Sequence, residues 1–216
     1  MVSAVIPQAS LFIGIIPAMI LLYIGLKDWE GRFKEKTLFI MFIVGIFAGF
    51  IISIVELGFY YSALVIIIVF PFLEQIVKTM VLNLRGFQGQ QSTVMYGLGL
   101  GLGFGSIYPP ASILLLAESD IASTELISIL LGSLGLLLLH GATGALIGYG
   151  IYKGRVWMFY LYSVSILITA NFLKIEYIQW LNLVFGIILY WYIHTKIIRQ
   201  LVKTMEKRKR EKKPSS

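Results

Sequence analysis

Runs of about twenty apolar residues recur along this chain, and the short polar links between them alternate between basic and nearly free of basic residues. A run of that length crosses a hydrocarbon core of roughly 30 Å as a helix. The runs predict helices at about 9–26, 37–55, 58–82, 94–117, 125–152, 157–173 and 177–198. The fold class is therefore all-α, a polytopic membrane helical bundle of about seven transmembrane helices. Composition agrees: 58% of residues are hydrophobic, 13% are charged and the mean hydropathy is +0.85, values that exclude an ordinary soluble domain.

Charge orients the bundle. The first link holds Lys27, Arg32, Lys34 and Lys36, the third Arg85, the fifth Lys153 and Arg155, and the tail from Lys196 onward nine more. The even-numbered links hold only Lys174, and Lys78 is left inside a span. The positive-inside rule then places the N-terminus outside and the C-terminus in the cytosol of a multi-pass cell-membrane protein. Glu118, Asp120 and Glu125 fall on the outer side. The opening MVSAVIPQAS has no Lys or Arg and no clear small-residue cleavage site follows, so it reads as the start of the first span rather than a signal peptide.

Residues 1–199 read as one transmembrane domain and 200–216 as a basic cytosolic tail. The tail is either a solvated topology anchor or a contact for anionic lipids, worth about 1 kcal/mol per basic residue near the surface. The pI of about 9.5 follows from this topology and does not point to nucleic acid. The chain has no cysteine, which removes disulfides, thiolate metal sites and a thiol nucleophile.

Three ionisable groups lie at depth: Glu74, Lys78 and His140. A charge at the bilayer centre costs about 2.5–3.5 kcal/mol on insertion scales, so such groups face the bundle interior and mark function. Glu74 and Lys78 are four apart with the acid first, so they also suit an intrahelical pair that only neutralises itself. Gln75 extends the polar patch, and Pro71 before it predicts a kink. Glu74 lies about sixteen and His140 about fifteen residues from the outer ends of their spans, roughly 22–24 Å deep. A carboxylate and an imidazole at equal depth are placed to share one site. His194 falls near the cytosolic interface.

The segment YGLGLGLGFG at 96–105 has no P-loop lysine and no strand before it, so it is not a phosphate cradle. On a helix, Gly97, Gly101 and Gly105 share one face and Gly99 and Gly103 another, which predicts close helix contact. Gly132, Gly141, Gly144 and Gly148 offer the same on the fifth span. Tyr108-Pro109-Pro110 predicts a break, because Pro110 also drives Pro109 away from helical geometry. The break either lines an internal polar site or ends the helix near the outer surface.

Across about residues 60–175 the chain resembles the PrsW-type intramembrane proteases, of the superfamily that includes the CAAX-processing membrane endopeptidases. PFLEQIVK at 71–78 resembles the family's EExxK helix, with Gln75 in place of the second glutamate. GLGFGSIYPP at 101–110 resembles its glycine-rich GLGF-xxx-E helix, with Tyr108 where the glutamate stands. LHGATGALIGYG at 139–150 resembles its histidine helix through His140. In SILITANFL, Asn171 matches the asparagine of the last motif, and Leu167 occupies its histidine position.

The resemblance implies peptide hydrolysis in or near the membrane. Glu74 would be the general base, His140 would support water or the oxyanion, Asn171 would donate to the oxyanion, and Lys78 would keep Glu74 ionised. Tyr108 would supply a hydrogen bond where a carboxylate stood, and Gln75 an amide. No structural zinc is expected, and a catalytic zinc would have only Glu74 and His140 as strong protein ligands, short of the usual three. The alternative is a catalytically degenerate relative that binds a membrane peptide, protein or lipid in a polar intramembrane cavity. A transporter is a third reading, but no inverted repeat links the two halves.

Overall fold

The computed structural model describes residues 5–59, 62–116, 123–175 and 178–211. The link residues 117–122, with Glu118 and Asp120, and tail residues 212–216 lie outside them. Among the described residues the protein is helical, without strands. The helices are α1 (Val5–Leu26), α2 (Glu35–Gly58), α3 (Phe70–Leu82), α4 (Thr93–Gly105), α5 (Tyr108–Leu116), α6 (Ser123–Tyr152), α7 (Val156–Ile175), α8 (Leu181–Ile193) and α9 (Arg199–Glu211). Wider π-type turns, Val65–Val69 and His194–Ile198, lead into α3 and join α8 to α9.

Among the described residues, five segments are long and apolar enough to cross a membrane: Glu35–Gly58, Val65–Leu82, Ile127–Tyr152, Val156–Leu173 and Leu181–Lys207. The first run is helical too, with Phe12–Leu26 as its apolar part. The fourth run is not one long helix. It divides into α4 and α5 at Ser106 and Ile107.

That division corrects the expected place of the break. Tyr108, Pro109 and Pro110 lie in the first turn of α5, where backbone N–H groups have no intrahelical partner and a missing one is tolerated. The prolines therefore begin a helix, and the discontinuity precedes them. The Ser106 hydroxyl donates to the Gly103 carbonyl at 2.7 Å and closes the end of α4.

Glycine explains how α4 comes to be buried along its whole length. A Cβ on Gly97 or Gly144 would strike the other's carbonyl oxygen, and one on Gly101 would strike the carbonyl of His140. Gly105 meets the backbone of Leu137, and Gly148 meets that of Thr93. The opposite face of α4 meets α2 in the same way, Gly103 lying on the Phe42 carbonyl and Gly45 on that of Leu100. Two small-residue faces thus set α4 between α2 and α6 at backbone contact, as membrane helix packing favours. Residues Leu38, Met41, Phe42, Gly45 and Gly49 form the buried stripe of α2 that receives it.

Helix α6 spans 30 residues and is the axis of the bundle, packed by α3, α4, α5, α7 and α8. It ends at Gly154, whose φ of 68° permits the left-handed turn, and the Arg155 N–H returns to the Gly150 carbonyl at 2.8 Å. At the end of the bundle that carries the first link, Arg32 joins Glu206 of α9 at 2.8 Å and reaches the Val202 carbonyl at 3.4 Å. The first link and the tail helix therefore lie on one side.

Candidate functional site

The polar residues at depth converge where α3, α4, α5 and α6 meet. Glu74, Gln75 and Lys78 project from α3 and are 3%, 0% and 0% exposed, and His140 on α6 is 1% exposed. A polar side chain so deep must find partners or carry a desolvation cost of several kcal/mol.

Lys78 directs Nζ to His140 Nδ1 at 2.7 Å and to Thr143 Oγ1 at 3.5 Å. The same ammonium lies 4.7 Å from the centre of the Phe104 ring, a cation–π contact strengthened by exclusion of water. The Gln75 amide donates to Thr143 Oγ1 at 3.2 Å, and the Tyr108 hydroxyl donates to the Glu74 carboxylate. The His140 ring stacks against both Phe104 and Tyr108, with both centroids 4.9 Å away and both planes within 20° of its own. Phe104 and Tyr108 flank the Ser106–Ile107 break. That interruption brings both rings onto the imidazole.

Tyr108 thereby links Glu74 to His140, by a hydrogen bond to one and a stacked face to the other. The carboxylate and imidazole expected at equal depth belong to one cluster. Lys78 reaches across to α6 as well, so it does more than an intrahelical pair would. Thr143 was not singled out by sequence. Its signal was its position three residues after His140, on the same helix face, and it receives both Lys78 and Gln75.

Asn171 goes elsewhere. Its amide donates to the Ile66 carbonyl at 3.0 Å, which sets it apart from the oxyanion role that the resemblance implied. The backbone explains this placement. In the π-type turn the Phe70 N–H bonds Val65, five residues back, and the next bond of that series would run from residue 71 to Ile66. Residue 71 is proline and has no N–H, so Asn171 from α7 supplies the donor. The kink expected at Pro71 takes the form of this wider turn.

Gln75 Oε1 is buried and has no hydrogen-bond partner among the described residues. Among those residues, no three His, Cys, Asp or Glu side chains gather closely enough to hold a metal ion. His194 sits in the π-type turn between α8 and α9, away from the cluster. No family model, curated protein or solved structure matches this chain.

Proposed function

We propose that this chain is a multi-pass protein of the cell membrane with seven spans, an outer N-terminus and a cytosolic basic tail. In this reading it is a PrsW-like protein whose intramembrane network binds a membrane-embedded peptide or protein segment without cleaving it. One observation carries the choice: the two groups a protease would need are each engaged by another side chain, Glu74 by Tyr108 and His140 by Lys78. A general base and its partner must meet water and substrate, and at 3% and 1% exposure these meet protein. Gln75 Oε1, a buried acceptor without a partner among the described residues, would be satisfied by a backbone N–H of an entering segment once α3 and α6 part to admit it.

Hydrolysis is the second reading, favoured by the Tyr108 bridge that joins Glu74 and His140 in one cluster. The two are separated by incubating purified protein in lipid with a set of membrane-anchored substrates carrying photo-crosslinkers in their spans. Binding without hydrolysis predicts crosslinks to α3 and α6 and no cleavage product. Cleavage by the wild type that is lost in both Glu74→Gln and His140→Ala would establish the protease and overturn the binding reading. The topology is tested by labelling single cysteines introduced at Glu30, Gly86 and Lys203 in sealed vesicles. All three belong on the cytosolic side, and an outward label on any of them overturns the seven-span orientation.

A further inference from the structure

We propose a second site, for one anionic phospholipid, in a groove between α7 and α8 that runs on into the first turn of α9. It rests on the membrane-spanning part of the reading above and uses no residue of the Glu74 cluster. Both helices pack on α6 but scarcely touch each other, and they leave a groove of about 660 Å³ between them. Its walls include Phe159, Tyr162 and Ile166 of α7 and Leu189 and Tyr192 of α8, with Tyr149 of α6 at the floor. Tyr162 and Tyr192 are 54% and 55% exposed. These walls belong to segments apolar enough to span a membrane, so the medium facing the groove is lipid.

Extent selects the occupant. From Gln200 to Leu189 the groove follows about 16 Å of helix, roughly half of a 30 Å hydrocarbon core. A transmembrane helix of a partner needs a seam across the whole core, whereas a lipid acyl chain occupies one leaflet.

Charge selects the headgroup. Lys196 and Gln200 line the end of the groove from which the basic α9 continues. Lys196 is exposed there and sits in the π-type turn His194–Ile198, a local widening that recurs at functional positions in helices. An ammonium and an amide at the interface above an apolar, tyrosine-flanked channel fit a phosphate headgroup over an acyl chain.

The test titrates the full-length protein in mild detergent with phosphatidylglycerol or phosphatidylcholine and counts retained lipid by native mass spectrometry. One phosphatidylglycerol should remain bound with about fivefold preference, the worth of one basic residue at a membrane surface. Lys196→Gln should reduce its retention to that of phosphatidylcholine, and Lys203→Gln, farther along the tail, should leave it unchanged. Ile166→Trp, which fills the channel without altering charge, should lower retention of both lipids. Equal retention of the two lipids by the wild type, full retention by Lys196→Gln, or equal losses from Lys196→Gln and Lys203→Gln would overturn the site. So would a dimer that carries no lipid.

Discussion

Lys78 Nζ lies 2.7 Å from His140 Nδ1 and joins α3 to α6 at the depth where both helices are buried. Toward a charged lysine, which has only donors, Nδ1 accepts and the imidazole proton sits on Nε2; toward a neutral one either ring tautomer completes the bond. Glu74 also interacts with Lys78 through charge, and removing the lysine takes that favourable interaction away. Lys78→Met is expected to cost about 3–5 kcal/mol, the loss seen when one partner of a buried charge pair is deleted. Lys78→Met/Glu74→Gln should recover part of this, read by unfolding in detergent micelles. No recovery in the double variant would show that Lys78 acts through His140 and Thr143 alone.

Tyr108 carries two separable contacts. Tyr108→Phe keeps the stacked ring and loses the donor to Glu74, for an expected cost of about 1.5–3 kcal/mol as a bond to a charged acceptor. Tyr108→Leu also loses the face on His140, adding about 0.5–1.5 kcal/mol. Equal stabilities for the two variants would mean that the stacking contributes nothing.

Asn171 and Pro71 are expected to be coupled through one carbonyl. Asn171→Leu strands the part-buried Ile66 carbonyl, at about 1 kcal/mol. Pro71→Ala restores a backbone N–H that can take up that carbonyl, so Asn171→Leu should cost less in the Pro71→Ala background. A double-mutant cycle measures the difference, and strict additivity would refute the link.

The glycines of α4 and α6 are predicted to be intolerant in proportion to what a methyl would meet. Gly97→Ala and Gly144→Ala each drive a Cβ into backbone and should cost about 1–3 kcal/mol. Gly58→Ala and Gly86→Ala meet nothing within 4 Å and should fall within about 0.5 kcal/mol of the wild type. Similar losses at all four positions would place the sensitivity in the backbone and not in the helix contact.

Much of this arrangement was legible because membrane helices leave few choices. A polar group at depth must turn inward, so Glu74, Lys78 and His140 stood out against apolar neighbours, and glycine at a four-residue spacing marked the α4 and α6 faces. Other parts depended on which backbone atom lacked a donor. Asn171 matched a motif position, yet its partner was decided by a proline on another helix and by the register of a π-type turn, and that register has no sequence signature of its own. Thr143 was hidden because a hydroxyl in a membrane helix ordinarily bonds its own preceding turn, as it also does here to His140 at 3.2 Å. The break at Ser106 was placed two residues late because a proline at the start of a helix looks, in sequence, like one that ends it.

Enclosure of α4 by α2 and α6 fixes an order of biogenesis. Synthesis makes α2 before α4 and α6 after it, so on emerging α4 finds one of its two walls and waits for the other until Tyr152 has been added. Until then its Gly97, Gly101 and Gly105 face lacks the α6 backbone it rests on in the folded protein.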